Sequence, residues 1–322
     1  MNLGENLVEL SKKISLNGRD FLCLADFSKE ELQYLLDLAA ELKTMKKEGI
    51  PYQPLLGKTM GMIFEKSSTR TRVSFEVGIY QLGGQGMFFS NRDLQIGRGE
   101  PISDTAQVIS RYLDGIMIRT FEHEKVEELA LHAPIPVING LTDKFHPCQV
   151  MADFQTIIEQ KGKLEGLKLA YVGDGNNMSH SLLLGCAKMG MNISIAAPEG
   201  YMPAADVVEM AEKFAEISGS NILITDSPVE AVNGADVIYT DVWASMGQEA
   251  EQEQRVKIFA PYQIDEKLVK HADQDYIFMH CLPAHRGEEV SSDVIDGGHS
   301  VIFDEAENRL HAQKAVMAAV MG

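Results

Sequence analysis

The segment 67–72, Ser-Ser-Thr-Arg-Thr-Arg, carries a dense set of hydrogen-bond donors. These donors are the hydroxyls and guanidinium groups of Ser67, Thr69, Thr71, Arg70 and Arg72. The mostly apolar run 56–64 before the segment predicts a buried strand, and the residues after it predict a helix that ends at Gly83-Gly84. The segment therefore coincides with the first turn of a helix, where free backbone N–H groups and the helix dipole favour an anion. We predict a site for a phosphate or another small dianion.

Two other interpretations of this segment are a helix cap on a solvated face and a nucleotide P-loop. Serine and threonine often cap helices, and paired arginines often lie on a solvated face. Arg70 and Arg72 within one turn of an acidic chain favour anion binding instead. A nucleotide P-loop requires the full pattern G-x-x-x-x-G-K-[S/T], which the sequence lacks. The segment therefore predicts a phosphate site without a nucleotide.

Two further polar groups follow predicted strands in the second half of the chain. Residues 173–177 read Gly-Asp-Gly-Asn-Asn, but Met178 replaces the third glycine of the dinucleotide fingerprint, so we expect no dinucleotide there. Asn177 offers a donor and an acceptor to an amino-acid-like group, although asparagine is also common in simple turns. Asp241 could bind a cationic amine or cap the next turn. The polar stretch 245–255 is expected to be a lid or a solvated helix face.

A cysteine and two arginines complete the candidate groups. Cys281 follows His280 at a strand end and could be a nucleophile, but no acyl-transfer partners accompany it. Arg119 lies at the carboxyl end of a predicted strand, where ligands bind in open α/β sheets. The segment 305–309 is predicted to open the final helix. Arg309 would then oppose the helix dipole, which indicates another role, such as binding an anion.

The composition limits the classes of partner. The formal net charge of −18 argues against nucleic acid or an anionic membrane. No apolar run approaches the about 18 residues that cross a bilayer, and residues 1–19 lack a signal-peptide core. The four cysteines have neither metal-ligand nor disulfide-framework spacing; they are Cys23, Cys148, Cys186 and Cys281. We expect a cytoplasmic protein.

Short apolar runs alternate with helical patterns along the chain. The predicted strands cover residues 56–64, 86–89, 115–119, 135–139, 168–172, 192–196, 221–225, 236–240, 276–279 and 301–303. Residues 1–55 are predicted to be helical with a capped start at Ser28, and Ser103 is predicted to cap another helix. Strands separated by helices imply parallel sheets. The predicted fold class is α/β, with two doubly wound parallel-sheet domains at residues 1–150 and 151–322.

These motifs together resemble the aspartate/ornithine transcarbamylase family over nearly the whole chain. Residues 67–72 resemble its carbamoyl-phosphate signature, and residues 146–149, His-Pro-Cys-Gln, resemble its second one. Residues 175–177, the loop 241–247 and residues 280–283 resemble its ornithine branch. The resemblance implies transfer of a carbamoyl group from carbamoyl phosphate to the δ-amine of L-ornithine, giving L-citrulline and phosphate. It implies no metal and no organic cofactor.

The resemblance also assigns roles to residues. Those expected to bind carbamoyl phosphate are Ser67, Ser68, Thr69, Arg70, Thr71, Gln95, Arg119, His146, Gln149, Cys281, Leu282 and Arg309. Those expected to bind ornithine are Asn177, Asp241, Ser245 and Met246, and those expected to be catalytic are Arg119, His146, Asp241 and Cys281. Thr71, Arg119 and His146 would polarise the carbamoyl oxygen. Cys281 would orient the δ-amine and help to handle its proton.

The family's architecture completes these expectations. Domain 1–150 would bind carbamoyl phosphate and domain 151–322 would bind ornithine. Helices would join the domains, the active site would lie in the cleft between them, and the final helix would pack back on the first domain. A homotrimer with shared active sites is implied, with Gln95 reaching a neighbour's phosphate and further assembly left open. Two alternatives stay open: a carbamoyltransferase acting on putrescine or another amine, and a non-catalytic anion-binding protein on the same scaffold.

Overall fold

The computed structural model describes residues 14–90, 99–244 and 251–322. The chain divides into two compact units, which are described separately below. Unit 1 comprises Met1–Gln155 and Glu307–Gly322, and unit 2 comprises Thr156–Ala306. Within the three described ranges, none of the helices combines the length and the apolar character that crossing a membrane requires.

The described residues of unit 1 form a four-stranded parallel sheet with the strand order β2-β1-β3-β4. Its strands are β1 (Thr59–Phe64), β2 (Gln85–Ser90), β3 (Gly115–Arg119) and β4 (Val137–Leu141). The helices of this part of the chain are α1 (Lys29–Glu48), α2 (Thr69–Gln81), α3 (Ile102–Ile109), α4 (His123–His132) and α5 (Pro147–Lys161). Every residue of β3 is buried, as expected for a parallel strand covered on both faces.

The described residues of unit 2 form a five-stranded parallel sheet with the order β7-β6-β5-β8-β9. Its strands are β5 (Lys168–Val172), β6 (Asn192–Ala196), β7 (Ile222–Thr225), β8 (Val237–Thr240) and β9 (Ile277–His280). The helices are α6 (Asn177–Met189), α7 (Ala205–Ser218), α8 (Pro228–Val232), α9 (Gln252–Phe259), α10 (Glu266–Val269), α11 (Ser292–Ile295) and α12 (Ile302–Met321). The later part of α12, from Glu307, belongs to unit 1.

In both sheets the chain first adds strands on one side of its starting strand and then adds the later strands on the other side. In unit 1 this switch point lies between β1 and β3, and in unit 2 it lies between β5 and β8. At such a switch point the connections leave the two neighbouring strands in opposite directions, so a crevice forms beyond their carboxyl ends. The residues that follow β1, β3, β5 and β8 are therefore the first place to look for a ligand site. The predicted class of two doubly wound parallel α/β folds is confirmed.

The positions of most predicted strands are confirmed, and two helix predictions were accurate. Strands β3, β5 and β6 begin and end at the predicted residues. Helix α2 spans Thr69–Gln81, with Phe75 and Ile79 buried. Ser28 caps α1 through a reciprocal capping box with Glu31.

Three local predictions were wrong. Residues 301–303 do not form a strand, because Ile302 begins α12, and Phe278 instead makes an isolated bridge with Ser300. Within residues 14–55, the α-helix covers only Lys29–Glu48. Ser103 lies inside α3 and does not cap it, because Ile102 already begins that helix.

Candidate active site

The connection from β1 to α2 carries the predicted anion segment of unit 1. Ser68 is the N-cap of α2, and its Oγ accepts a hydrogen bond from the Thr71 N–H at 3.2 Å. Ser67 and Thr69 are exposed, and Arg70 is half-buried. The free N–H groups of the first helical turn therefore lie beside the carboxyl end of β1, at the switch point of the sheet.

Two buried arginines converge on the hydroxyl of Thr71. Arg119 Nη1 and Arg309 Nη2 each donate to Thr71 Oγ1 at 3.3 Å. Arg309 Nη1 also donates to Gln149 Oε1 at 2.6 Å. The exposed fractions are 6% for Arg119 and 3% for Arg309. We call Thr71, Arg119, Gln149 and Arg309 the arginine cluster; its buried positive charge is suited to an anionic ligand.

A close approach of two helices positions Arg309. A Cβ atom at Gly78 of α2 would lie 2.8 Å from Met317 Cε and 3.3 Å from Lys314 Cγ, both on α12. Glycine therefore permits the close approach of α2 and α12. Lys314 Nζ donates to Gln81 Oε1 at 3.1 Å and adds a polar contact between these helices. This packing brings the Arg309 guanidinium to the first turn of α2.

His146 directly precedes α5 and is 4% exposed. Burial, together with the charges of Arg309, Arg119 and Arg70, holds the pKa of His146 well below its ordinary value of 6.5. The imidazole is therefore neutral at pH 7 and can donate one N–H without adding positive charge. Burial raises the pKa of the neighbouring Cys148 thiol to about 12, so Cys148 is not a thiolate nucleophile.

A turn that sequence reasoning missed supports His146. Thr142 N–H donates to the Phe145 carbonyl at 2.9 Å, and Phe145 N–H donates to Thr142 Oγ1 at 3.1 Å. A buried lysine, Lys66, pairs with Asp143 of the same turn. Lys66 lies just before the predicted anion segment, but its pairing partner is 77 positions away and has no sequence signal.

In unit 2, Asp241 follows β8 and is 7% exposed. Its Oδ1 accepts from the Cys281 thiol at 3.1 Å and from the Val242 N–H at 2.8 Å. Its Oδ2 accepts from Asn176 Nδ2 at 2.9 Å. We call Asp241, Cys281 and Asn176 the carboxylate cluster. A buried carboxylate with a thiol and an amide at its edge is suited to an amine ligand.

The Gly-Asp-Gly-Asn-Asn segment after β5 holds this cluster in place. Asn176 caps α6, because its Oδ1 accepts from the N–H groups of Met178 at 2.9 Å and Ser179 at 3.3 Å. Asn177, the predicted residue, is the first residue of α6 and is 9% exposed. A Cβ at Gly175 would lie 2.3–2.5 Å from backbone atoms of residues 201–203. Close chain packing therefore requires glycine at position 175.

The turn after β9 presents Cys281 and Leu282. Leu282 has a left-handed backbone with φ +57°, which is unusual for a residue with a Cβ. Its N–H donates to His280 Nδ1 at 2.9 Å, so the ring proton lies on Nε2 and is donated to Glu289 Oε1 at 3.0 Å. The buried His280–Glu289 pair therefore stabilises the conformation of this turn.

Arg255 makes a contact network that the sequence did not predict. Its guanidinium donates to Asp174 Oδ2 at 2.8 Å and to the Trp243 carbonyl at 2.9 Å. Burial raises the pKa of Asp174, and the charge of Arg255 opposes that shift. The ion pair connects the start of α9 to the residues that follow β5 and β8.

Comparisons with known proteins agree with the sequence resemblance. Residues 19–159 match the family described as "Aspartate/ornithine carbamoyltransferase, carbamoyl-P binding domain", and residues 165–320 match its "Asp/Orn binding domain". The chain belongs to this family. A relative from Oceanobacillus iheyensis, named ornithine carbamoyltransferase, is 65% identical over 306 residues, which is 95% of each chain. One from Anoxybacillus flavithermus, with the same name, is 62% identical over 314 residues, covering 98% of this chain and 100% of the relative.

A solved structure, ornithine carbamoyltransferase from Pyrococcus furiosus, has a TM-score of 0.94 and 57% identity. The likeness covers 96% of this chain and 99% of that one. Family membership thus extends over both units.

Several of the residues expected from the family resemblance lie in the two clusters. Unit 1 brings together Thr71, Arg119, Gln149 and Arg309, with His146 close enough for their charges to lower its pKa. Unit 2 brings together Asp241 and Cys281. Gln95, Ser245 and Met246 lie outside the described residues.

Two details of the sequence reasoning need correction. Arg309 does not lie at a helix start, because α12 begins at Ile302, so its position relative to the helix dipole carries no information about its role. Arg72, which we grouped with the anion-binding donors, is exposed. It pairs with Glu76 at 3.3 Å and covers the Phe88 ring at 3.8 Å.

Proposed function

We propose that the protein transfers the carbamoyl group of carbamoyl phosphate to the δ-amine of L-ornithine, giving L-citrulline and phosphate. The observation that carries the proposal is the arginine cluster, in which Arg119 and Arg309 share the hydroxyl of Thr71. The names of relatives with 57–65% identity supply the acceptor. Unit 1 binds carbamoyl phosphate and unit 2 binds ornithine.

The phosphate group binds at the N-terminus of α2. Its charge is balanced by Arg70, Arg119 and Arg309, and its oxygens accept from the backbone and hydroxyls of residues 67–71. A charge-assisted hydrogen bond is worth roughly 1.5–3 kcal/mol, so each such contact changes the affinity for carbamoyl phosphate by about 10–150-fold. The bonds strengthen as the phosphate leaves and its charge grows.

The carbamoyl oxygen becomes more negative as the amine attacks. Thr71 accepts hydrogen bonds from both guanidinium groups, and its own hydrogen can be donated to that oxygen. Arg119 and neutral His146 complete the set of donors, which needs no reorganisation during the reaction. Gln149 and the carbonyls of Cys281 and Leu282 receive the carbamoyl NH2 group.

The acceptor binds through its amino-acid end. Asp241, which is 7% exposed, provides the negative charge for the α-ammonium, with Asn177, Ser245 and Met246 around the same end. Cys281 donates its thiol hydrogen to Asp241, and in the proposed reaction Cys281 orients the δ-amine and helps to handle its proton. The amine must lose that proton before its lone pair can form the new C–N bond. The attacking nitrogen then gives its second proton to the leaving phosphate as the bond from carbon to the phosphate oxygen breaks, so the products are citrulline and hydrogen phosphate.

The assembly we propose is a homotrimer. Helix α2 presents three apolar residues on one exposed face, Val73, Val77 and Tyr80, with exposed fractions of 51%, 37% and 77%. Met87 on the edge strand β2 is 42% exposed. Apolar groups this close together on a surface are typical of a protein–protein interface. Gln95 of one subunit then reaches the phosphate bound by its neighbour.

The location we propose is the cytoplasm. All four cysteines, which fall within the described residues, are free thiols, as is usual in a reducing compartment.

The proposed function is tested by an acceptor panel. Purified protein is incubated with carbamoyl phosphate and either L-ornithine, putrescine, N-acetylornithine or no amine, and both phosphate and the carbamoylated product are measured. We expect citrulline and phosphate in equal amounts with ornithine and little product with the other amines. Preferential formation of carbamoylputrescine would contradict the assignment of Asp241. Absence of product with every amine would leave only an anion-binding protein.

A further inference from the structure

Three side chains of types that can ligate a metal lie close together in unit 2, on the turn that follows the Cys281 segment. His285 Nδ1 lies 3.7 Å from Glu288 Oε2 and 4.0 Å from Glu289 Oε2. The three ligand atoms all lie within 4.8 Å of one another. From this arrangement we propose that His285, Glu288 and Glu289 form a binding site for a divalent transition metal ion such as Zn²⁺.

The buried carboxylate of Glu289 is the observation that points to a ligand. Its side chain is fully buried, and its Oε1 accepts from His280 Nε2 at 3.0 Å and from the His285 N–H at 2.6 Å. Among the described residues, its Oε2 has no hydrogen-bond partner. An unsatisfied carboxylate oxygen in the interior is costly, and a bound ion is one of the recognised ways in which such an oxygen is satisfied.

The neighbouring arginine is paired with a different carboxylate, so Glu289 Oε2 is available to a metal ion. Arg286, which follows His285 in the sequence, directs its guanidinium to Asp296 with contacts of 2.9 and 2.6 Å. The atom facing Glu289 Oε2 is His285 Nδ1, and a neutral imidazole nitrogen is itself a metal ligand. One imidazole and two carboxylates form a donor set that suits zinc, with water as the fourth ligand.

The turn is held in the required shape without the ion. Gln263 Nε2 donates to the carbonyls of Gly287 and Glu288 at 2.8 and 2.7 Å, and Gly287 N–H donates to the Val290 carbonyl at 2.8 Å. In a tetrahedral zinc site with bonds of about 2.1 Å, neighbouring ligand atoms are about 3.4 Å apart. The His285–Glu288 and His285–Glu289 separations of 3.7 and 4.0 Å must therefore shorten by about 0.3 and 0.6 Å, which the exposed fractions of 46% for His285 and 33% for Glu288 permit.

The experiment measures zinc binding in a background that lacks the Cys281 thiol. Asp241, His280 and Cys281 also offer three ligand atoms within 4.8 Å, so Cys281→Ser removes the softest ligand of that competing group. Tag-free C281S protein is dialysed against ZnCl2 and, separately, against MgCl2. The bound metal is then measured by elemental analysis and the affinity by calorimetry.

We expect C281S to bind one zinc ion per chain and no magnesium. Loss of even an outer partner of a metal ligand costs about 10–100-fold in affinity, so adding His285→Ala should weaken zinc binding by at least about tenfold. Adding Glu288→Gln, a milder change at a partly exposed residue, should weaken it in the same direction. His271→Ala, at another exposed histidine of unit 2, is the matched control and should leave the affinity unchanged.

Either of two results would overturn the proposal. One is the same zinc affinity in C281S and in C281S with His285→Ala. The other is the absence of zinc from C281S in a clear molar excess of the metal. Circular dichroism confirms that each variant is folded, and the Glu288→Gln comparison decides the question if the His285 variant is not. Because the readout is metal binding, failure here leaves the carbamoyl-transfer proposal unaffected.

Discussion

Replacing Arg309 with Gln tests the arginine cluster most directly. Arg309 is 3% exposed and connects Gln149 to Thr71 through contacts of 2.6 and 3.3 Å. The substitution removes one of three cations around the proposed phosphate position. A lost charge-assisted contact costs roughly 1.5–3 kcal/mol, which corresponds to about 10–150-fold in affinity. The KM for carbamoyl phosphate should rise by this factor.

The assay is steady-state citrulline formation with carbamoyl phosphate varied at saturating ornithine. Arg309→Lys should lie between the Gln variant and the parent, because it keeps the charge and loses the fork of donors. Arg72→Gln is the matched control. Arg72 is an exposed arginine that pairs with Glu76 and lies outside the cluster, so its loss should leave the KM unchanged.

A second readout separates an electrostatic role from a packing role. After burial, Arg309 is the largest influence that lowers the pKa of His146. In Arg309→Gln the pKa of His146 should therefore rise, and the acidic limb of the pH–activity profile should move to higher pH. An unchanged KM for carbamoyl phosphate together with an unshifted acidic limb would refute the reasoning.

Four further predictions concern the acceptor, stability and assembly. Asp241→Asn should lose most activity with ornithine at an unchanged KM for carbamoyl phosphate. In the parent, ornithine should exceed putrescine by at least about tenfold in kcat/KM, because an unpaired buried polar group costs about 1–3 kcal/mol. Burial and nearby cations lower the folded-state pKa of His146, so below pH 6.5 the unfolded chain binds the proton first. The free energy of unfolding in urea should then fall as pH decreases through 6.5, and His146→Gln should reduce that slope. Finally, Val77→Asp should lower the mass measured by light scattering from that of a trimer toward that of a monomer.

The strand ends were predictable because parallel strands impose a common direction. A short apolar run that ends in a polar residue places that residue at one edge of the sheet, whatever the surrounding contacts. Arg119 and Asp241 were found in this way, and the structure places both at switch points. The helix start at Ser68 was predictable for the same kind of local reason, since its cap lies within one turn.

The partners of these residues were not predictable, because they come from distant parts of the chain. Thr71 and Arg309 are 238 positions apart, and their contact depends on the close packing at Gly78. Asn176 and Asn177 are chemically identical neighbours. Only the backbone decides that Asn176 caps α6 and bonds to Asp241. The apolar triplet 301–303 was ambiguous for a different reason, since three apolar residues fit a short strand and a helix start equally well.

The arginine cluster is positively charged although the chain as a whole is negatively charged. The positive charge of the cluster also explains why His146 is neutral. A net charge of −18 leaves most of the surface unfavourable for a dianion, so binding depends on a local concentration of cations. The same cations make a further positive charge costly, and they therefore keep the buried imidazole of His146 neutral. A neutral imidazole still donates one N–H to a developing oxyanion, as the proposed reaction requires. The arginines therefore have two effects: they attract the anion, and they keep His146 a neutral hydrogen-bond donor at pH 7.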